Sequence, residues 1–143
     1  MENSLMTLKY HVSPTDFTRA GEASSDVKNK LKKLGVPPEI IRKVAIAMYE
    51  GEINMVIHAN GGDISVDIPP DTIHMELKDV GPGIVDIDKA MQAGYSTAPD
   101  DVRSLGFGAG MGLPNMKKNS DTMDIQTILG KGTTVTMTVN MPE

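Results

Sequence analysis

Residues 62–83 read GDISVDIPPDTIHMELKDVGPG, and apolar and polar residues alternate through both halves of that stretch. Ile64, Val66 and Ile68 form one set, and Ile73, Met75 and Leu77 form the other. A period of two places each set on one face of a strand. Pro69-Pro70-Asp71 between them supplies turn residues, so the pair predicts a hairpin. The second strand runs directly into Asp79-Val80-Gly81-Pro82-Gly83, a glycine-rich loop with an acid at the strand end.

On the N-terminal side the period changes. Pro37-Pro38-Glu39 suits the first turn of a helix, where a missing N–H costs nothing. Ile41, Val44, Met48, Gly51 and Met55 follow at three- and four-residue steps and predict one buried stripe. Asn60-Gly61-Gly62 ends that helix. Earlier still, Ser13-Pro14-Thr15-Asp16 offers a cap for a helix reaching about Leu34, with Gly35 as its stop. Leu5, Met6, Leu8, Tyr10 and Val12 predict a first strand. On the C-terminal side, a short helix is expected over 86–93 and a long glycine-rich loop over 94–112. A second short helix, 113–118, precedes a strand pair at 123–128 and 133–141, joined at Gly130-Lys131-Gly132. Hairpin-paired strands with helices grouped before and between them predict an α+β two-layer sandwich. Its sheet would be mixed, mainly antiparallel, and covered on one face by helices.

The 143 residues suit one domain, taken as 1–143. With 39% hydrophobic and 23% charged residues the chain has an ordinary globular composition. A net charge of −5 disfavours nucleic-acid binding through phosphate neutralisation. Lys28, Lys30, Lys32 and Lys33 form the one basic cluster, read as a solvated helix face. There is no cysteine, which excludes thiol catalysis and cysteine metal sites and fits a reducing cytoplasm. Met1-Glu2-Asn3-Ser4 carries no basic region followed by an apolar run, so no secretion signal is expected, and no apolar stretch approaches the roughly 20 residues a spanning helix needs, so no membrane partner is expected. Eleven methionines and no tryptophan point to a core filled by flexible thioethers.

Four local patterns carry chemistry. Glu50, Asn54 and His58 are spaced four apart, so they share one face of the long helix, offset from its apolar stripe. An acid and an amide one turn apart suit a hydrated magnesium ion, which takes oxygen ligands and few protein groups beside phosphates. Asn54 can give a carbonyl oxygen without adding negative charge, and Glu50 can orient or deprotonate a nucleophile. Read alone, that face also fits a polar surface meeting water. Asp79 at its strand end can accept from an exocyclic amine such as that of adenine, and Gly81 and Gly83 allow close backbone approach to a flat ligand. Gly106-Phe107-Gly108-Ala109-Gly110-Met111-Gly112 leads into a helix, presenting backbone N–H groups suited to phosphate. No βαβ unit surrounds that run, and it lacks the Gly-Lys-Ser/Thr ending of a P-loop. Lastly, Thr133 at the final turn offers a hydroxyl that could support Asp79, although β-propensity alone explains it equally well.

Together and in this order, the four patterns resemble the GHKL ATP-binding family of gyrase, Hsp90 chaperones, histidine kinases and mismatch-repair ATPases. The resemblance covers roughly residues 37–141. It matches Glu50 and Asn54 to the family's N box, and Asp79, Gly81 and Gly83 to its first glycine box. Gly106, Gly108, Gly110, Met111 and Gly112 match the second glycine box, and Gly132-Thr133 the closing motif. The run from Asp79 to Asp86, then 90–97 and 105–110, is similar to the small bacterial anti-sigma-factor and stressosome-switch serine/threonine kinases. That resemblance implies a Bergerat-type fold, ATP and Mg²⁺ as cofactors, and phosphorylation of a serine or threonine on a small STAS-type antagonist. It implies magnesium on Asn54, Glu50 as base and adenine on Asp79. A sigma factor or phosphatase is the further partner class it suggests, and it admits a homodimer.

Two departures accompany it. Lys117-Lys118-Asn119-Ser120-Asp121 is more polar than the family's usual apolar docking patch. Glu52 is a second acid near the base, but it lies about 200° around the helix from Glu50 and reads as structural. His58 reads as structural too, and His11 and His74 lie on predicted strands away from acid clusters. Two rival functions stay open: a nucleotide-bound switch that sequesters a regulator with little turnover, and a histidine-kinase-like catalytic domain.

Overall fold

The computed structural model describes residues 6–13, 21–57, 61–68, 71–81, 83, 91 and 112–141. Among them are five strands and three helices. These are β1 (Met6–Val12), α1 (Glu22–Lys33), α2 (Pro38–Ile57), β2 (Gly62–Ile68), β3 (Thr72–Asp79), α3 (Gly112–Lys118), β4 (Thr122–Ile128) and β5 (Gly132–Asn140). The strands form one sheet in the order β1-β2-β3-β5-β4, and every described pairing is antiparallel. The sheet is thus simpler than the mixed one expected.

Register aligns the alternating apolar residues into rows across the sheet. Tyr10, Ile64, Leu77, Val135 and Ile125 make one row; Leu8, Val66, Met75, Met137 and Met123 make the next. A one-residue slip would turn every member of a row to water, so burial fixes the register. The opposite face is polar and open, with Thr7 donating to Asp67 at 2.8 Å and His11 beside Asp63 at 3.1 Å.

Helices α1 and α2 cover the apolar face. Val27 and Leu31 of α1 and Val44, Ala47 and Met48 of α2 are fully buried there, together with Met116 of α3. Each such Val, Leu or Met side chain contributes roughly 1.5–3 kcal/mol by leaving water. The expected stripe of α2 is the buried one. Lys28, Lys32 and Lys33 are exposed on α1, as a solvated face requires.

The start of α1 differs from the expectation. The helix begins at Glu22, because Gly21 has φ +99°, which no right-handed helix can contain. Of the expected cap only Ser13 is described; residues 14–20 lie outside the described residues. The cap comes from another helix. Glu52 of α2 is buried to 3% exposure and accepts the N–H groups of Gly21 (2.9 Å), Ala23 (3.2 Å) and Ser24 (3.1 Å). Local sequence cannot reveal a cap that arrives from about 30 residues away. At its other end α1 stops as expected: Gly35 N–H donates to Lys32 and Val36 N–H to Leu31, a Schellman closure.

The helix expected at 86–93 and the loop at 94–112 lie outside the described residues, apart from Met91 and Gly112. None of the described helices is long and apolar enough to cross a membrane.

Candidate functional site

Glu50 and Asn54 stand one turn apart on α2, both half-buried, on the side facing α3. Glu50 hydrogen-bonds Asn115 of α3. Asn54 donates its amide nitrogen to the Met116 sulfur at 3.8 Å, which commits that nitrogen and leaves the carbonyl oxygen as what it can offer a cation. Burial raises the Glu50 pKa above its ordinary value, and the bond from Asn115 only partly opposes that. A carboxylate pushed upward is a better proton acceptor at neutral pH than an ordinary surface glutamate.

Asp79 ends β3, also half-buried. Its Oδ1 accepts the Thr133 N–H at 2.7 Å, and burial raises its pKa against that bond. The main chain of Thr133 therefore holds Asp79, whereas the hydroxyl was the group expected to do so. That hydroxyl lies 3.0 Å from the Thr127 hydroxyl. Antiparallel pairing explains the difference: β5 presents its N–H edge-on to the end of β3, while the buried Thr133 side chain points toward its β4 neighbour.

The remaining residues of the first and last motifs are stitched together by backbone. Gly81 N–H donates to Lys131 C=O at 3.0 Å, and Val80 N–H to Gly61 C=O at 3.0 Å. Gly132, at φ +153°, sits so close to Asp79 that a Cβ there would overlap the Asp79 carbonyl and come within 3.1 Å of its Oδ1. Only glycine brings the β4–β5 turn that near the acid. Gly83 packs beside Thr127 and Ile128 in the same way. Gly106, Gly108, Gly110 and Met111 lie outside the described residues; Gly112 begins α3.

Two pairings thus emerge. The acid–amide pair of α2 meets the helix that follows the long glycine run, and the Asp79 loop meets the closing turn. Gly51 joins them. A Cβ on it would overlap Leu77, two residues before Asp79, and would come 3.0 Å from the Met116 methyl. Between Glu50 and Asn54, α2 therefore lies directly on β3 and α3. Residues spread over 80 positions of sequence converge on one end of the sheet.

Asn115, Met116 and Glu52 were not among the sequence candidates for the site. No periodic or charge signal marks Asn115 or Met116 within LPNMKK. The polar run after them has a local use: Asn119 donates to the Asn115 carbonyl at 2.9 Å and Ser120 to that of Met116 at 2.8 Å, satisfying the carbonyls at the C-terminus of α3. His58 lies outside the described residues; His11 and His74 are on the open sheet face. No group of three or more His, Asp or Glu residues that could cage a metal occurs among the described residues.

The profile of the histidine kinase-like ATPase domain matches residues 13–139. The chain belongs to that family. It is 31% identical over 112 residues to the serine/threonine-protein kinase RsbT of Bacillus subtilis, covering 76% of this chain and 78% of that protein. It is 33% identical over 101 residues to an anti-sigma F factor of a Geobacillus species, with 66% of each chain covered. An anti-sigma F factor of Caldanaerobacter subterraneus is 34% identical over 105 residues, with 70% of each covered. A chain in the crystal structure of the SiaB-SiaC complex from Pseudomonas aeruginosa shares the fold at TM-score 0.59 and 12% identity, covering 96% of this chain and 90% of that one. The GHKL resemblance read from the motifs is therefore correct, and the chain is an ATP-using domain of the kinase type.

Proposed function

We propose that residues 1–143 act as one cytoplasmic ATP-binding domain that phosphorylates a serine or threonine on a small STAS-type antagonist protein. The observation that carries this reading is the half-buried Glu50 carboxylate, raised in pKa and tied to Asn115, one turn from Asn54. A relative named as a serine/threonine-protein kinase supports the acceptor class. The dependence on ATP supports the cytoplasm as the compartment, as does the absence of cysteine.

In this mechanism Asp79 offers its second carboxylate oxygen to the adenine amine while Thr133 N–H fixes the first. Gly132 lets the β4–β5 turn approach Asp79, and Gly81 and Gly83 would allow close backbone approach to the flat base. Asn54 would hold Mg²⁺ through its carbonyl oxygen; an amide that adds no charge, with no acidic cage among the described residues, fits a metal bound mainly by phosphates and water. Such an ion would supply positive charge against the phosphates. The 106–112 glycines would give N–H groups to the phosphates. Glu50 accepts the proton of the acceptor hydroxyl as its oxygen bonds to the γ-phosphorus; the bond from that phosphorus to the β–γ bridging oxygen breaks, and ADP leaves.

Relatives named as anti-sigma factors favour a second reading, in which the domain also sequesters a regulator such as a sigma factor. One experiment separates the two. Incubation with γ-labelled ATP and a candidate antagonist should yield acid-stable label on the antagonist, lost with Glu50→Ala while nucleotide binding persists. Nucleotide-dependent co-elution without label would replace the kinase reading with the sequestration reading. Acid-labile label would indicate a histidine acceptor.

A further inference from the structure

Among the described residues, Glu52 is the one buried acid, and the mechanism above has no use for it. Its carboxylate reaches from α2 to the first turn of α1 and takes three N–H groups on two oxygens. A second residue of α2 grips the same point, because a Cβ on Gly21 would come within 3.0 Å of the Tyr49 ring. Gly21 is thereby held between Tyr49 and Glu52, the residues on either side of Glu50 and Gly51. Its φ of +99° is tolerated there only because it is glycine.

The same short stretch of α2 is gripped on its other sides. Glu50 meets Asn115, Asn54 meets Met116, and Gly51 lies against Leu77. From β1, the Tyr10 hydroxyl donates to Asp26 of α1 at 2.6 Å; its pKa is raised by burial and by that carboxylate, with the Glu52 charge adding a smaller part. Residues 49–54 are therefore fixed from α1, α3 and β3 at once.

Resting on the kinase reading above, the geometry points to Glu52 as a positioning residue: by clamping the α1 N-terminal turn it sets the orientation in which Glu50 faces its acceptor. The clamp acts through Glu50 and touches neither nucleotide nor acceptor. A misplacement of the base on the order of 1 Å costs about 100-fold in rate. Glu52→Gln keeps the size but leaves one oxygen for three N–H donors, so it loosens the clamp without opening a cavity.

The test uses Glu52→Gln in the full chain, assayed well below its melting temperature. Expected is a fall of about 10–100-fold in kcat with KM for ATP unchanged. Gly21→Ala should give the same signature from the opposite side of the contact. The double variant should be no worse than the poorer single one, because both remove one clamp. Wild-type kcat in folded Glu52→Gln would overturn the proposal and leave Glu52 as a helix cap alone. If wild type itself transfers no phosphate, the kinase reading fails separately, and the clamp is judged by NMR. In Glu52→Gln the Asn115 side-chain amide signals should move, since they report the Glu50 bond on the far side of α2. Unmoved Asn115 signals, with changes confined to α1, would overturn it.

Discussion

Glu50 and Asp79 each bind a proton more tightly in the folded chain than their ordinary values of 4.5 and 3.8 would give, because burial disfavours the charge. The sign for stability follows. A raised folded pKa favours folding below the ordinary value, and that contribution disappears as pH climbs through the raised one. Glu50→Gln removes a half-buried charge and keeps a partner for Asn115. We therefore expect its melting temperature at pH 7 to exceed that of wild type, while phosphoryl transfer falls by about 10²–10⁴-fold, the share of a general base. Scanning calorimetry and a label-transfer assay read the two effects. A second expectation concerns pH: the acidic limb of the wild-type rate should lie above 4.5, and a limb at or below that value would exclude Glu50 as the base. Asp79→Asn should weaken adenine-nucleotide binding by roughly 1.5–3 kcal/mol, the worth of a hydrogen bond to a charged group, as measured by titration calorimetry.

Between helix and sheet, contact geometry matters more than chemistry. Gly51→Ala pushes a methyl into Leu77 and Met116 at the one place where α2 rests on β3 and α3. Overpacking there should cost about 1–3 kcal/mol, seen as a lower denaturation midpoint at constant m-value. Strand positions and the stripe of α2 were legible from sequence because burial imposes periods of two and 3.6 on the chain. The Asp79–Gly83 loop and the Glu50–Asn54 spacing stood out as local motifs, an acid with glycines at a strand end and a four-residue step on one helix face. What escaped were the atoms that join distant segments. The cap of α1 by Glu52, the Asn115 partner of Glu50 and the Thr133 main-chain donor to Asp79 exist only after the sheet has closed. The expected start of α1 failed in this way, since its capping carboxylate belongs to another helix.

The full assembly of sheet and helices buries its candidate site between the end of the sheet and two helices, so ligand and stability are linked. Excess Mg-ADP at 100 times its dissociation constant should add about 2.7 kcal/mol to unfolding, raising the melting temperature, with no increase when EDTA replaces the metal. The described strands form one five-stranded sheet, and the family profile spans residues 13–139.

Met48, Met75, Met116 and Met137 are all buried in that unit, and the chain has no thiol to act as a sacrificial target. Peroxide can reach such sulfurs only when the covering helices open, so sulfoxide formation becomes a clock for that opening. Met116 is the sensitive dial. Once oxygenated, its sulfur is bulkier and strongly polar, and it meets Asn54 on new terms. Oxidation of Met116 would thus act on the site from inside the core, after the partly exposed Met6, Met123 and Met141 have already met the peroxide.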